Sequence, residues 1–244
     1  MRDFINLIKN KNVALIGPAA YMVGTEYGSD IDSHDIVVRV NRGIELIDKH
    51  KLDIGTKTDI LYSCLIEKSA NAGKINGNAL KQKYGVKYMC APPESTYQGV
   101  ATSTKYHHMV DMQTVNEVLK YMPIRIVDHV FHTKLAEKVE CRPNTGFLAI
   151  YDLLKHKPKK LSIYGFSFYL DGFIPGCKEG IMEEQGKNEE QFAEQCFTSK
   201  RHVQENMWQF AKKTLRNKNN ISLDPILEKI LNLEFLDKNL FNNL

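Results

Sequence analysis

Residues 24–41 read "GTEYGSDIDSHDIVVRVN": Asp30, Asp32, His34 and Asp35 crowd against an apolar run that carries Arg39 and ends at Asn41. Carboxylates and an imidazole at this density admit three chemistries: a divalent-metal site, acid–base catalysis, or a hydrogen-bonded frame for a nucleotide pocket. Asp30-Ile31-Asp32 fits the D-x-D pattern that ligates a metal through nucleotide-sugar phosphates. The pair precedes the strand-like run instead of ending it, which favours the frame.

Four further groups have the residue types for ligand chemistry. Gly17 ends "NVALIG" (12–17) and Asn41 ends the second run, so both stand at carboxyl ends of strands, where open α/β sheets bind ligands. A strand terminator and a turn residue read the same way. "RPNTGFLAIYDLL" places Asn144, Thr145 and Gly146 at the start of an apolar-periodic helix, whose free N–H groups and dipole suit a phosphate or carboxylate. A plain N-cap uses the same residues. In "GFSFYLDG" a strand ends at Gly165 and delivers Tyr169 to the same region, as a hydroxyl donor or as a packing residue. His202, in "SKRHVQENMWQFAKK", falls just before or within the first turn of a helix, a general base near neutral pH or an idle surface histidine. His107–His108 reads as a solvated loop pair with no third ligand beside it.

The elements that must position these residues follow from periodicity. Short apolar runs at 12–17, 35–41, 58–64, 86–92, 124–130 and 160–166 have the form of buried parallel strands. Helical patterns at 112–122 and 145–157 lie between them, which predicts a mostly parallel sheet covered on both faces. After residue 170 no strand is expected. A loop at 172–180 leads to a long polar helical region at about 187–216 and an amphipathic tail that starts a helix at Asp224-Pro225. That tail closes the core; peripheral membrane contact stays open.

Composition excludes several classes. The 244 residues are 43% hydrophobic and 25% charged, and 33 basic against 29 acidic residues give +4, too mild and too scattered for nucleic acid. No run is long and apolar enough for a membrane helix, and the start reads as an amphipathic helix. Five cysteines without C-x-x-C spacing indicate neither zinc nor a disulfide framework, so free thiols and a cytoplasmic location are expected. "GPAAYMVG" after the first strand lacks the glycine fingerprint of a dehydrogenase.

Taken together, "ALIG", "GSDIDSHDIVVRVN", "DIGTKTD" and "PNTGFLAIYDLLKHKPKKLSIYGF" resemble the motifs of the eukaryotic-type sialyltransferases, glycosyltransferase family twenty-nine, over about 12–59 and 142–167. "GFSFYLDG" is similar to a turn of the bacterial family forty-two sialyltransferases, whose tyrosine helps a phosphate leave. Three departures stand out: Pro18-Ala19 replaces an Asn-Ser that contacts the nucleotide, the third motif is missing, and the last is partial, with Glu205 at +3 from His202.

The resemblance implies a single glycosyltransferase domain over 1–244, Rossmann-like and GT-A-like, with a nucleotide-binding core at about 12–167 and a helical part at about 187–244. It implies inverting transfer of an acidic sugar, sialic acid, from a CMP-activated donor to a glycan or glycolipid hydroxyl, without cofactor or metal. His202 is then the general base and Tyr169 the donor to the leaving phosphate. Asn144, Thr145 and Gly146 hold the phosphate or carboxylate, and Gly17, Asn41 and Gly165 line the nucleotide side. Asp32, His34 and Asp35 fix the loop feeding the second strand and hold Arg39. The alternatives are a CMP-Kdo-dependent Kdo transferase and a catalytically inactive nucleotide-binding or interaction protein of the same fold.

Overall fold

The computed structural model describes residues 2–65, 75–93, 96–97, 106–107 and 112–241. Nine strands are present among them: β1 Asn12–Ile16, β2 Ile36–Val40, β3 Ile60–Tyr62, β4 Tyr88–Ala91, β5 Thr96–Tyr97, β6 Tyr106–His107, β7 Ile124–Ile126, β8 Lys160–Tyr164 and β9 Ile221–Leu223. Seven form one sheet in the order β7-β4-β3-β2-β1-β8-β9, parallel at every junction. β5 and β6 make a separate antiparallel pair. His107 therefore lies in a short strand where a loop was expected, and His108 is outside the described residues.

β1 and β2 are apolar but for Asn12 at the start of β1 and the buried Arg39 of β2, because both their faces are covered. Successive side chains alternate between two cores. Val13 and Leu15 join Val38, Phe147, Leu153 and Trp208 on one face, while Ala14 and Ile16 join Val37, Ile31 and Ile54 on the other. Helices Thr145–Lys155, Gln204–Leu215 and Pro225–Asn232 cover the first face. The indole of Trp208 donates to the Ile230 carbonyl at 2.9 Å and locks the last two together.

Two expectations fail in the last third of the chain. β9 is a strand beyond residue 170, three half-buried residues that add to the edge at β8. The helical stretch at 187–216 is two helices, Glu189–Phe197 and Gln204–Leu215, and the break between them holds His202. No helix among the described residues is long and apolar enough to cross a membrane.

One buried polar cluster ties the sheet to its covering helix. Asp152 is fully buried, accepts from the Arg125 guanidinium at 2.6 and 2.9 Å, and accepts from the Tyr62 hydroxyl at 2.6 Å. Burial works to raise its carboxyl, but the hydrogen bonds from Arg125 outweigh it and hold the group well below the usual carboxylate range.

Candidate active site

From β1 the chain runs outward through β2, β3, β4 and β7 to one edge, and β8 and β9 fill the other side. The topological switch therefore lies between β1 and β8, where a crevice opens beyond the strand ends. Gly17 and Gly165 are the residues that follow those two strands. Gly17 N–H donates to the Tyr164 carbonyl at 2.8 Å and Ala19 N–H to the Gly165 carbonyl at 3.1 Å. A Cβ on Gly17 would overlap the Gly165 carbonyl oxygen, and Gly165 itself has φ +73°. Gly17 itself is not among the residues lining the cavity described below, though Pro18 and Ala19 beside it are, and what the structure shows of it is close backbone approach. Gly17→Ala is expected to push the two strand ends apart, lowering stability by about 1–3 kcal/mol, the usual cost of overpacking. Urea denaturation of the variant measures this.

A cavity of about 680 Å³ occupies the crevice and is lined by Asn41, Asn144, Thr145, Gly146, Gly165, Tyr169 and His202 together. These residues span 162 positions of sequence, from 41 to 202. Asn41 has φ 48°, a left-handed conformation that asparagine tolerates, and its Oδ1 accepts from Cys64 N–H at 3.3 Å, which ties the ends of β2 and β3 together. Asn144 caps helix Thr145–Lys155 by accepting from Phe147 N–H at 2.8 Å, so the free N–H groups of the first turn face the cavity end.

Phe168 and Tyr169 follow one another at φ 54° and 62°. Bulky residues hold this region only where the surroundings enforce it, at about 1–3 kcal/mol each. The result places the Tyr169 hydroxyl 3.5 Å from Asn144 Nδ2, which donates to it. Burial keeps the phenol well above its ordinary range, so it remains a proton donor.

His202 is half-buried, and its Nδ1 lies 2.7 Å from the Arg142 carbonyl. A carbonyl only accepts, so Nδ1 carries the proton and Nε2 presents a lone pair. Burial pushes its pKa down to about 4; the carbonyl bond opposes this and the Arg142 and Arg201 cations reinforce it. The imidazole is thus a neutral acceptor at pH 7.

The acids of the opening stretch are turned away from the cavity. Asp32 accepts from Thr56 N–H and Lys57 N–H and from the Thr56 hydroxyl, all at 2.8–2.9 Å. His34 bridges the Asp30 carbonyl and the Ser162 hydroxyl, and Asp35 accepts from Asn12 N–H at the start of β1. Arg39 is buried and hydrogen-bonds none of these three side chains directly; the Asp32 charge opposes the burial and favours its protonated form, and Asp32 fixes the Thr56–Lys57 turn that Arg39 bonds. Its guanidinium donates to the Ile54 and Lys57 carbonyls and to Thr58 Oγ1. Asp30 accepts from the Tyr164 hydroxyl at 2.5 Å while Asp32 serves the Thr56 loop, so the D-x-D carboxylates have separate partners. No cluster able to hold a metal ion occurs among the described residues.

Tyr21 and Asp171 carried no recognisable signal of their structural importance here, and Asp224 carried only that of a helix start. Tyr21 donates to Asp224 at 2.7 Å and accepts from Phe166 N–H at 3.1 Å, and its own N–H donates to Asp171 at 2.6 Å. The same Asp224 oxygen accepts from Gly165 N–H at 3.0 Å, while the other caps helix Pro225–Asn232. The cavity floor is therefore pinned from a segment far along the chain.

The family described as glycosyltransferase family 29 (sialyltransferase) matches residues 8–172, two thirds of the chain. The chain belongs to that family. As a glycosyltransferase of family 29 it shares its fold with a mammalian sialyltransferase solved in complex with Gal-beta-1-3GalNAc-ortho-nitrophenol. The TM-score is 0.54 at 16% identity, over 90% of this chain and 71% of that one. The sialyltransferase CST-II in complex with CMP gives a TM-score of 0.53 at 14% identity, over 89% and 87% of the two chains. No curated protein sequence matches. His202 and Asp224 lie beyond the matched residues, so their placement rests on this structure's own geometry.

Proposed function

We propose that this enzyme transfers an acidic sugar, sialic acid, from a CMP-linked donor to a glycan hydroxyl by single inverting displacement. The observation that carries this reading is the juxtaposition, in one cavity, of a neutral His202 whose Nδ1 is bonded to a carbonyl, a helix N-terminus at Asn144–Gly146, and cationic side chains. Family membership supports it, as do the solved relatives that hold CMP and a trisaccharide acceptor.

In this mechanism the donor phosphate lies on the first-turn N–H groups at Thr145 and Gly146, where the helix dipole favours an anion. Tyr169 donates to the departing phosphate oxygen, where negative charge grows in the transition state. Asn41 lines the cytidine-ribose side. The acceptor hydroxyl attacks the anomeric carbon from the opposite face and gives its proton to His202 Nε2. The imidazolium that forms keeps its Nδ1–H bond to the Arg142 carbonyl, so the ring does not reorient. A CMP-sugar carries one phosphate, and the cavity's arginines and lysines supply the countercharge a metal otherwise would. We also propose a reducing, cytoplasmic setting, in keeping with five free cysteines.

The test is CMP release from CMP-Neu5Ac and from CMP-Kdo, with and without glycan acceptors. Acceptor-dependent release that persists in EDTA is expected. Pro18 and Ala19 line the cavity with no side-chain donors, which gives the Kdo arm a physical reason. Release restored only by manganese or magnesium would return the argument to Asp30 and Asp32.

A further inference from the structure

The segment that follows β8 and carries Tyr169 is tied at both ends to the segment that follows β1. At the near end Ala19 N–H donates to the Gly165 carbonyl at 3.1 Å, and Phe166 N–H donates to the Tyr21 hydroxyl at 3.1 Å. At the far end Tyr21 N–H donates to Asp171 Oδ2 at 2.6 Å, and Ile174 N–H donates to the Pro18 carbonyl at 2.9 Å. Tyr21 therefore holds both ends, one through its hydroxyl and the other through its main chain. Between them lies an arc that contains the left-handed pair Phe168–Tyr169. Leu170 N–H donates to the Ser167 carbonyl at 3.1 Å and closes the arc on itself.

An arc in such a conformation keeps its shape only while its ends are fixed. The Tyr21 hydroxyl has one proton, which goes to Asp224 Oδ2 at 2.7 Å, and this turns the phenol oxygen toward Phe166 N–H. Asp224 Oδ2 also accepts from Gly165 N–H, while Oδ1 accepts from Ile226 and Leu227 N–H. Each oxygen of this buried carboxylate thus takes two donors, and the group cannot swing away without losing them. Tyr21, Asp171 and Asp224 are not among the residues lining the cavity, whereas Ser167, Phe168 and Tyr169 of the arc are. Any effect of the first three on the reaction passes through the arc.

We infer that Tyr21 and Asp224 are positioning residues of the transfer step, holding Tyr169 where its hydroxyl meets the departing phosphate. This rests on the transferase reading above. The other contacts of Tyr169 do not fix it alone. Asn144 Nδ2 is 3.5 Å from the hydroxyl, a long hydrogen bond, and Phe173, at 5.2 Å between ring centres, belongs to the same segment and moves with it. A displacement of about 1 Å at a reacting group costs up to about 10²-fold in rate, so a clamp outside the cavity has kinetic weight.

Tyr21→Phe removes one oxygen and keeps both the ring and the main-chain donor to Asp171. We expect kcat to fall by about 10–10²-fold, while CMP affinity by calorimetry and the donor KM stay near those of the parent. Asp224→Asn keeps an oxygen for the helix cap but sets an amide NH2 against Gly165 N–H, and should repeat the loss. A cycle with Tyr169→Phe identifies the route: in that background Tyr21→Phe should lower kcat no further. A merely structural defect lowers the active fraction by the same factor in both backgrounds. Amide hydrogen exchange over 166–171 should be faster in Tyr21→Phe and in Asp224→Asn than in the parent. An equal fractional loss of kcat in both backgrounds overturns the inference, as does an unaltered kcat or a loss that falls on CMP affinity instead. Parental exchange over 166–171 in Tyr21→Phe also overturns it, because the hydroxyl then does not hold the arc. That arm is read without turnover, so it is distinct from the failure of the parent to release CMP from either donor, which overturns the transferase reading itself.

Discussion

His202→Ala is expected to lower kcat by about 10²–10⁴-fold, the usual worth of a positioned general base, while CMP binds with a near-unaltered Kd. The reason is geometric. Nδ1 is committed to the Arg142 carbonyl, so Nε2 is the nitrogen left to act, and in the proposed mechanism it meets the acceptor hydroxyl while the donor phosphate is held at Thr145 and Gly146. The pH profile gives a second check. A pKa pushed down to about 4 means the base is unprotonated above that pH, so kcat/KM, which reports the free enzyme, should hold its value down to about pH 5 and fall toward 4. Donor anions offset the Arg142 and Arg201 charges, so the acid limb of kcat should lie above that of kcat/KM.

Folding follows the same sign. A histidine depressed in the native state contributes stability above about pH 6.5, the unfolded value, and that stability is lost as pH falls toward 4. His132, buried and also pushed down to about 4, adds to this. Circular dichroism at each pH separates unfolding from chemistry. If His202→Ala transfers sugar at the unaltered rate, the base is another group.

Asp152→Ala is expected to destabilise the protein by about 3–5 kcal/mol, the range for breaking a buried ion pair from one side. Arg125 would keep a guanidinium that is only one-tenth exposed, and the Tyr62 hydroxyl would lose its acceptor. Against a typical total of about 5–15 kcal/mol this loss leaves little, so a large drop in urea midpoint should be accompanied by poor soluble yield. Asp152→Leu with Arg125→Met should recover much of it, because an apolar pair of similar volume needs no countercharge. A single variant within about 1 kcal/mol of the parent would show that the cluster is not held as described. Asp152 is depressed, so its contribution is lost only in strong acid; the loss between pH 6.5 and 4 belongs to the histidines.

What could be read from the sequence divides by distance along the chain. β1, β2 and β8 are legible because strands buried on both faces are mostly apolar, even with Arg39 and Ser162 within them, and Asn144 is legible because a helix cap is a local event. The break that carries His202 is less so: polar helix and polar turn share a composition. β9 escaped because three half-buried residues have no period to detect. Tyr21 and Asp224 could not be paired in advance, since 203 positions separate them and only the assembled sheet brings them together. Asp224 did give a signal, the Asp-Pro helix start, but that uses one carboxylate oxygen and says nothing of the other.

The reach of Asp224 has a consequence for how the molecule is made. Gly165 precedes its partner by 59 residues, which a ribosome working at about 5–20 residues per second takes about 3–12 s to add. During that interval the nascent chain already holds β1, β2 and β8, yet Gly165 N–H awaits its acceptor and β8 is an open edge, able to pair with any strand that meets it. The crevice floor at Gly165 and the open side of β8 are both satisfied by the same short stretch, Ile221–Asp224, so the pinning of the site and the pairing of β8 wait on one segment and arrive together.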